Sequence, residues 1–199
     1  MCFGSCDNNC DCVEDYDDPI LIDLSGAGFP MSSEQNGVPF NFSGNGPVQL
    51  SWTEKGADVG WLVLDRNGNG KIDDGAELFS NLSPQPAGVP GGKNGFRALA
   101  VYDLPANGGN GDGWITAKDA IFSKLLIWVD RNHDGISQPN ELFTMQQAGV
   151  RAISVQYQAA RSTDANGNQF RYRGEIVWQK PVNGQQTAAT YDVLLVAGK

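Results

Sequence analysis

Short apolar runs and stretches that alternate between apolar and polar residues recur along the chain, and both patterns are typical of β-strands. Residues 20–24 and 61–64 are continuous apolar runs, which predict buried strands. Similar patterns predict four more strands, at residues 48–53, 150–157, 170–178 and 191–197. Asn166 and Gly167 form an Asn-Gly pair between alternating residues, which predicts a hairpin turn.

Helical apolar spacing is found in the middle of the chain. It predicts helices at residues 96–102, 120–128 and 139–148. The predicted fold class is therefore α+β, with a mainly antiparallel sheet formed by residues 19–64 and 150–197. Between these two parts we expect a central helical block that carries EF-hand-like calcium loops.

The loop at residues 130–141 matches the EF-hand pattern D-x-[DN]-x-[DN]-G-x5-E at every specified position. Hard oxygen ligands at this spacing suit Ca²⁺, and Gly135 allows the sharp bend at position 6. The residues that would bind the ion are Asp130, Asn132, Asp134, Ile136 and Glu141. Ile136 would contribute its backbone carbonyl, and the others their side-chain oxygens. Position 8 is Ser137, where an EF-hand normally has an apolar residue that pairs with a partner loop. The alternative is a turn rich in Asp and Asn that binds no metal.

A second calcium-like loop spans residues 65–77 and follows a predicted strand instead of a helix. Its candidate ligands are Asp65, Asn67, Asn69, Lys71 and Glu77. The closing acid Glu77 stands at position 13 where the pattern requires position 12. Either the loop bulges by one residue, or Asp73 and Asp74 take the place of Glu77.

A third loop ends at Asp119 and has a less regular start. Its candidate ligands are Asp103, Asn110, Asp112, Trp114 and Asp119. Asp103 can supply the first ligand only if residues 104–109 bulge out of the loop. The Thr116-x-x-Asp119 capping box is also what the start of a metal-free helix would show, so both interpretations remain open.

The charge of the chain excludes two classes of partner. With a formal net charge of −9 at pH 7, we expect no nucleic acid and no anionic membrane as partner. No apolar run is long enough to predict a membrane span. The chain does not open on a charged-then-apolar signal peptide, so we expect that an extracellular destination would need a different export route or a longer parent protein.

Residues 1–17 are polar and acidic and predict a flexible arm in front of a domain at residues 18–199. The arm holds all four cysteines, Cys2, Cys6, Cys10 and Cys12. They could form two disulfides, remain free thiols, or bind a soft metal such as Zn²⁺. The spacing does not decide among these alternatives.

The arm ends at an Asp-Pro dipeptide, Asp18-Pro19, that has chemistry of its own. An aspartate carboxylate can attack its own main-chain carbonyl, and the tertiary proline nitrogen is the easiest leaving group for that attack. The alternative is a proline that only marks the start of a strand. Conventional hydrolase chemistry is not expected, because the single histidine, His133, lies within a calcium loop and has a structural role there.

Taken together, these segments resemble the self-processing module of large RTX (repeat-in-toxin) proteins of Gram-negative bacteria. The resemblance covers most of residues 18–197 and is carried by residues 18–24, 60–79, 114–122 and 126–142. It implies folding on calcium, cleavage of the Asp-Pro bond, here Asp18-Pro19, and transfer of the released aspartyl group to a lysine amine. Two features depart from the family pattern: the turn at residues 23–28 lacks the usual acids, and the insertion at residues 103–112 is unusual.

Two functions stay open on this basis, and both use Ca²⁺ as the cofactor. One is a calcium-stabilised structural or interaction domain without enzymatic activity. The other is a single-turnover autoprotease with Asp18 and Pro19 as its reacting residues and a lysine of another protein as the acceptor in an isopeptide link. Loops with so few carboxylates belong with weak extracellular calcium sites, which predicts a secreted bacterial protein.

Overall fold

The structure is a computed structural model that describes residues 5–6, 12–13, 18–88 and 92–198. Two short strands precede residue 18, β1 (Ser5–Cys6) and β2 (Cys12–Val13), and they pair antiparallel. The predicted flexible arm of residues 1–17 otherwise lies outside the described residues. The alternatives for its four cysteine side chains lie outside them as well.

One antiparallel sheet forms most of the fold. The strands that follow β2 are β3 (Ile20–Asp23), β4 (Val38–Phe40), β5 (Val48–Leu50), β6 (Val59–Val63), β7 (Trp114–Ile115), β8 (Leu126–Trp128), β9 (Leu142–Thr144), β10 (Val150–Ser154), β11 (Gln158–Thr163), β12 (Gln169–Val182) and β13 (Gln185–Leu194). Nine of them form the sheet in the order β7-β10-β12-β13-β3-β6-β8-β9, with β11 paired to β12 beside this path. The separate pair of β4 and β5 packs against it.

Each predicted strand segment contains a strand, although residues 48–53 form only β5, which lies outside the main sheet. The predicted hairpin turn is present, but the strand that precedes it is β11 and not the predicted strand at residues 150–157. The chain turns between β11 and β12 at residues 164–168, where Asp164 N–H donates to Asn168 O at 3.0 Å. The longest pairing in the molecule is that of β12 with β13. It brings the end of the chain back to the first strand of the domain, β3, which pairs with β13 on one side and with β6 on the other.

The central helical block was a wrong prediction. Within residues 18–88 and 92–198 the one α-helix is α1 (Gly95–Ala100), and the 3-10 segments Glu34–Asn36, Val101–Asp103 and Pro105–Asn107 are single turns. Residues 120–128 form turns and then β8, and residues 139–148 contain the edge strand β9. The fold is therefore mostly antiparallel β, and the predicted helix at 96–102 is the one that is confirmed.

The misleading pattern at residues 120–128 has a physical cause. Ile127 packs in the core on one face of the sheet, and Trp128 packs in the core on the other face. A strand buried on both faces is apolar at every position, so its sequence cannot be told from that of a buried helix by periodicity. The partner strand β6 is buried at all five positions for the same reason.

Aromatic rings fill the core that β4 and β5 cover. The ring centroids of Trp52 and Trp61 are 4.8 Å apart, and those of Trp52 and Trp128 are 5.4 Å apart. Phe40 of β4 adds a third contact with Trp52 at 5.4 Å. Each such pair contributes about 1 kcal/mol beyond its buried area. Trp128 is two residues before Asp130, so this cluster holds the end of β8 at the point where the 130–141 loop begins.

Helix α1 is only six residues long, and such a helix does not persist alone in water. It is held by its packing, because Phe96 and Leu99 are fully buried. Its N-cap is Asn94, whose side-chain oxygen accepts the N–H of Arg97 at 3.0 Å. These contacts fix the position of the helix start at Gly95, which borders the buried carboxyl groups described below.

Candidate functional site

The loops at 65–77 and 130–141 are both closed by antiparallel backbone pairing. The residue before each first aspartate donates its N–H to the carbonyl of the closing glutamate: Leu64 to Glu77 at 2.8 Å, and Val129 to Glu141 at 2.9 Å. The context is therefore strand, loop, strand. The helix, loop, helix arrangement predicted around residues 130–141 is wrong, since β8 enters that loop and β9 leaves it.

The first aspartate of each loop bends the following backbone around its carboxylate. Asp65 accepts hydrogen bonds from the N–H groups of residues 68, 69 and 70 at 2.7 to 3.2 Å. Asp130 does the same with residues 133, 134 and 135, at 2.7 to 3.1 Å. The glycine at position 6 is left-handed in both loops, with φ of 78° at Gly70 and 70° at Gly135. Glycine tolerates this conformation without strain.

The third loop reaches the same arrangement through an insertion. Residues 104–109 turn out of the loop through a 3-10 turn, which is the bulge that the sequence required. The carboxylate of Asp103 can then accept the N–H groups of Gly111 at 3.1 Å and Gly113 at 2.9 Å. Gly113, the position 6 residue, has a φ of 87°. Asp103 is buried, so the insertion delivers a carboxylate into the loop interior.

The middle positions repeat a second pattern. The side-chain oxygen at position 5 accepts the N–H at position 7 in every loop, at 2.8 to 3.0 Å. The pairs are Asn69 with Lys71, Asp112 with Trp114, and Asp134 with Ile136. At position 3, Asn67 and Asn110 accept the N–H at position 5, whereas the amide of Asn132 donates to the Asp134 carboxylate at 2.8 Å.

The closing acids are buried and hold the far side of their loops. Glu77 accepts the N–H of Arg66 at 2.9 Å and the N–H of Asp73 at 3.0 Å, one with each carboxylate oxygen. Glu77 thus closes its loop from position 13, and burial raises the pKa of its carboxyl. Asp119 accepts the N–H groups of Asn110 and Thr116 in the same manner.

The two better-formed loops are joined at position 8 of each. Ser137 Oγ accepts the N–H of Ile72 at 2.7 Å and donates to the carbonyl of Ile72 at 3.1 Å. Both residues are buried. A serine hydroxyl therefore makes the connection for which an EF-hand pair normally uses two apolar residues. Sequence reasoning noted the unusual serine but did not predict this contact.

His133 has the structural role that was predicted. Its two ring nitrogens lie 2.7 Å from the carbonyl oxygens of Thr53 and Asn36. These contacts tie the 130–141 loop to the segments around β4 and β5. Among the described residues, no nucleophilic side chain is a hydrogen-bond partner of this ring.

The loops would have to bind a hard cation with a mixture of charged carboxylate oxygens and neutral oxygens. In the part of the chain that the structure describes, no group of three or more His, Cys, Asp or Glu side chains could hold a metal ion. Each loop supplies two or three carboxylates, and the remaining oxygens belong to asparagine amides and to the backbone. Such a neutral-rich oxygen set suits Ca²⁺ at weak affinity better than it suits a softer metal.

The Asp-Pro dipeptide lies at the start of β3 in the middle of the sheet. The Asp18 side chain is fully buried. One carboxylate oxygen accepts the N–H of Asn81 at 2.7 Å, and the other lies 3.2 Å from the guanidinium of Arg171. Pro19 is also buried, and its carbonyl accepts the N–H of Val193 at 3.0 Å. A buried aspartate therefore precedes a proline whose peptide group is fixed from the neighbouring strand.

A second buried acid, Asp192, lies beside this dipeptide. Asp192 is fully buried in β13 and accepts the N–H of Gly95 at 2.8 Å. Burial raises the pKa of Asp192 well above its usual value, and the negative charge of Asp18 raises it further. Sequence reasoning missed both Asp192 and Arg171. The available signal was an acid within the otherwise apolar stretch at residues 191–197.

The 65–77 loop is connected to Asp18 by a short stretch of chain. Two residues after the closing acid Glu77, Phe79 accepts the N–H of Ile20 at 2.9 Å and so pairs with the start of β3. Two residues later, Asn81 donates its N–H to the Asp18 carboxylate. The chain from Glu77 to Asn81 therefore links the 65–77 loop to one of the groups that hold the Asp18 carboxylate.

Comparison with known proteins gives a consistent assignment. Residues 20–196 match the family described as the SPM domain. The iron-regulated protein FrpA of Neisseria meningitidis serogroup C is 37% identical over 183 residues. That alignment covers 90% of this chain and 15% of FrpA, so the chain spans a small part of this relative. Among the described residues, no helix has the length and apolar character needed to cross a membrane.

Proposed function

This chain belongs to the SPM domain family, and we propose that it is a calcium-binding module of a secreted RTX-type bacterial protein that cleaves its own Asp18-Pro19 bond. The observation that carries the proposal is the setting of Asp18. A fully buried carboxylate, held by Asn81 and Arg171, directly precedes a proline whose carbonyl is fixed by a neighbouring strand.

The chemistry needs no external nucleophile. The Asp18 carboxylate attacks its own main-chain carbonyl carbon and forms a cyclic anhydride, while the bond to the Pro19 nitrogen breaks. Arg171 favours the ionised, nucleophilic form of the carboxyl because the guanidinium is positive and near. A carboxylate held next to a peptide carbonyl has a high effective molarity, so fixing its geometry replaces a catalytic triad.

Calcium dependence is proposed from the loops. The oxygens of Asp65, Asn67, Asn69 and Glu77, with the Lys71 carbonyl, would hold one ion, and the corresponding groups of the other two loops would hold two more. A bound ion supplies positive charge that offsets the mutual repulsion of the loop carboxylates. Ordering the 65–77 loop fixes Glu77, and the chain from Glu77 to Asn81 then positions the Asp18 carboxylate.

Secretion and the fate of the aspartyl group belong to the same proposal. Loops with two or three carboxylates bind calcium weakly and would fill outside the cytosol, where the ion is abundant. The anhydride is opened by water or by a lysine amine of another protein. In the second case the products are an isopeptide bond and a chain that begins at Pro19.

The test is incubation of the purified chain with millimolar Ca²⁺ or with chelator, followed by mass spectrometry of the intact protein. We expect two fragments that meet between Asp18 and Pro19 in Ca²⁺ and none in chelator. Asp18→Asn removes the nucleophile and should abolish cleavage. Pro19→Ala is the matched leaving-group control, since it keeps the carboxylate but replaces the tertiary amide, and it should cleave far more slowly.

A second function is favoured by one observation: Asn81 and Arg171, which hold the Asp18 carboxylate, both lie outside the three loops. The loops could therefore bind Ca²⁺ and stabilise the domain without any cleavage. A chain that stays full-length in Ca²⁺, while its melting temperature rises with the ion, would support this non-enzymatic structural domain and reject the autoprotease.

A further inference from the structure

We propose that Asp192 is the proton donor for the leaving nitrogen of Pro19, a role that rests on the self-cleavage proposed above. Cleavage of an amide requires a proton on the departing nitrogen, and the Asp18 carboxylate cannot provide it while acting as the nucleophile. A second acid must therefore lie beside the Asp18-Pro19 peptide.

The pairing of β13 with β3 places Asp192 across from the residue that follows this peptide. Asp192 stands opposite Ile20, the residue after Pro19, and the next residue, Val193, donates its N–H to the Pro19 carbonyl at 3.0 Å. The Asp192 side chain is fully buried. It lies near enough to Asp18 for the two carboxyl groups to interact electrostatically inside the protein.

The hydrogen bonds divide the roles between the two acids. Asp18 has the N–H of Asn81 and the guanidinium of Arg171, which both favour a charged carboxylate. Asp192 Oδ2 accepts the N–H of Gly95, while its buried Oδ1 has no hydrogen-bond partner among the described residues. An unpaired buried oxygen is costly on a charged carboxylate and much less so on a neutral acid.

The charges around Asp192 lead to the same division. The Asp18 carboxylate raises the pKa of Asp192 after burial has already raised it, and Arg171 of β12 lowers it by a smaller amount. Two other titratable residues are near: Tyr172 stands opposite Asp192 in β12. Arg97 of α1, the helix that begins at Gly95, donates to the Tyr157 hydroxyl at 2.7 Å. Asp192 therefore keeps its proton to higher pH than an ordinary aspartate. The contacts of Asp18 thus favour its charged form, while Asp192 holds its proton more strongly than usual, an arrangement that suits a nucleophile and an acid in one site.

The step balances with these groups alone. The Asp18 oxygen forms a bond to its main-chain carbonyl carbon, and the bond from that carbon to the Pro19 nitrogen breaks. The nitrogen takes the bonding electron pair and the proton of Asp192. The products are the cyclic anhydride, the free secondary amine of Pro19 and an Asp192 carboxylate that retains the Gly95 N–H. Water that opens the anhydride supplies the protons that are needed afterwards.

The experiment compares cleavage rates of full-length wild type, Asp192→Asn, Asp192→Glu and Asp58→Asn in saturating Ca²⁺ across a range of pH. Asp192→Asn keeps the shape and the Gly95 contact but has no acidic proton, so its rate should fall about 100-fold or more, as for loss of a general acid. Asp192→Glu should recover part of the rate. Asp58→Asn makes the same chemical change at an exposed acid, whose surface ion pair with Arg131 contributes little, and it should cleave like wild type in saturating Ca²⁺.

The pH profile separates an acid from a structural residue. The wild-type rate should fall at high pH as Asp192 loses its proton, and Asp192→Asn should lack this fall. If Asp192→Asn does not fold, the wild-type profile still decides, because a rate that does not fall at high pH overturns the inference. If wild type and Asp192→Asn are cleaved equally fast, Asp192 is not the proton donor, but the proposed self-cleavage stands. A wild type that is never cleaved rejects the proposed function and the inference together.

Discussion

Asp192 accepts the backbone N–H of Gly95 at 2.8 Å, so the last long strand of the sheet is joined to the start of helix α1 by a buried carboxyl. Gly95 has no room for a side chain, since a Cβ there would lie 2.4 Å from the carbonyl oxygen of Phe79. The contact therefore fixes Asp192 between the helix and the strand that carries Asp18-Pro19. Because burial and the charge of Asp18 raise its pKa, this acid must also affect stability.

We expect Asp192 to make the folded chain less stable as pH rises. The unfolded chain releases the proton near pH 3.8 and the folded chain only at a higher pH. Between these values the folded state binds more protons, so the free energy of unfolding falls by about 1.4 kcal/mol per pH unit. Asp192→Asn should remove this part of the pH dependence and be more stable than its parent at neutral pH.

Urea unfolding from about pH 4 to pH 8 measures this difference. A Pro19→Ala background should cleave far more slowly, so both chains remain largely whole during the experiment. Parallel stability curves for the two chains would show that Asp192 titrates in the folded state as it does in the unfolded state.

Ser137→Ala should weaken the connection between the two better-formed loops. It removes a hydroxyl that bonds both the N–H and the carbonyl of Ile72, and it leaves those two buried backbone groups without that partner. We expect a loss of about 1 to 3 kcal/mol in the free energy of unfolding. Ser162→Ala, at an exposed site in β11, is the control and should change little. Equal effects of the two substitutions would mean that the connection contributes nothing.

Much of this fold could be predicted from the sequence because half-buried strands alternate and the calcium-like loops have a fixed spacing. The loop that ends at Asp119 shows how far spacing can reach, since the required bulge of residues 104–109 is present. The helix at 139–148 was wrong because residues 142–144 pair with β8 as the edge strand β9. The helix at 120–128 was wrong because β8 is buried on both faces and its apolar residues are continuous. Periodicity carries no information in such a strand.

The pairing of distant acids could not be predicted. Asp18 and Asp192 are separated by almost the whole domain, and only the order of strands in the sheet brings them together. Arg171 meets Asp18 for the same reason, through β12. Sheet order depends on the total packing of both faces, which no local pattern records.

Glu141→Gln should weaken calcium binding more than Asn69→Ala. Glu141 is buried against Trp128, and its glutamine variant loses the charge and the two-oxygen closure of the most regular loop. Asn69 is exposed and neutral, and the neighbouring Asp73 can replace its oxygen. Calorimetric titration of each variant gives the affinities. A loss that is the same for both would contradict the roles given to these two residues.

Removal of calcium should unfold most of the domain, and this prediction tests all the loops together. Without the ion, the negative charges of the loop acids are not neutralised, and the loop carboxylates are held by the backbone N–H groups that they accept. A ligand that binds only the folded state adds about 2.7 kcal/mol at a hundred times its dissociation constant, and two or more ions add correspondingly more. The indole nitrogen of Trp128 lies 3.5 Å from the Glu141 carboxylate, so tryptophan fluorescence should report the change directly.

We expect at least two Ca²⁺ to bind. Excess chelator should lower the melting temperature sharply, and Mg²⁺ at the same concentration should restore little of it. An unchanged melt in chelator, together with no heat on titration, would leave the loops as metal-free turns and would remove calcium from the function proposed for this chain.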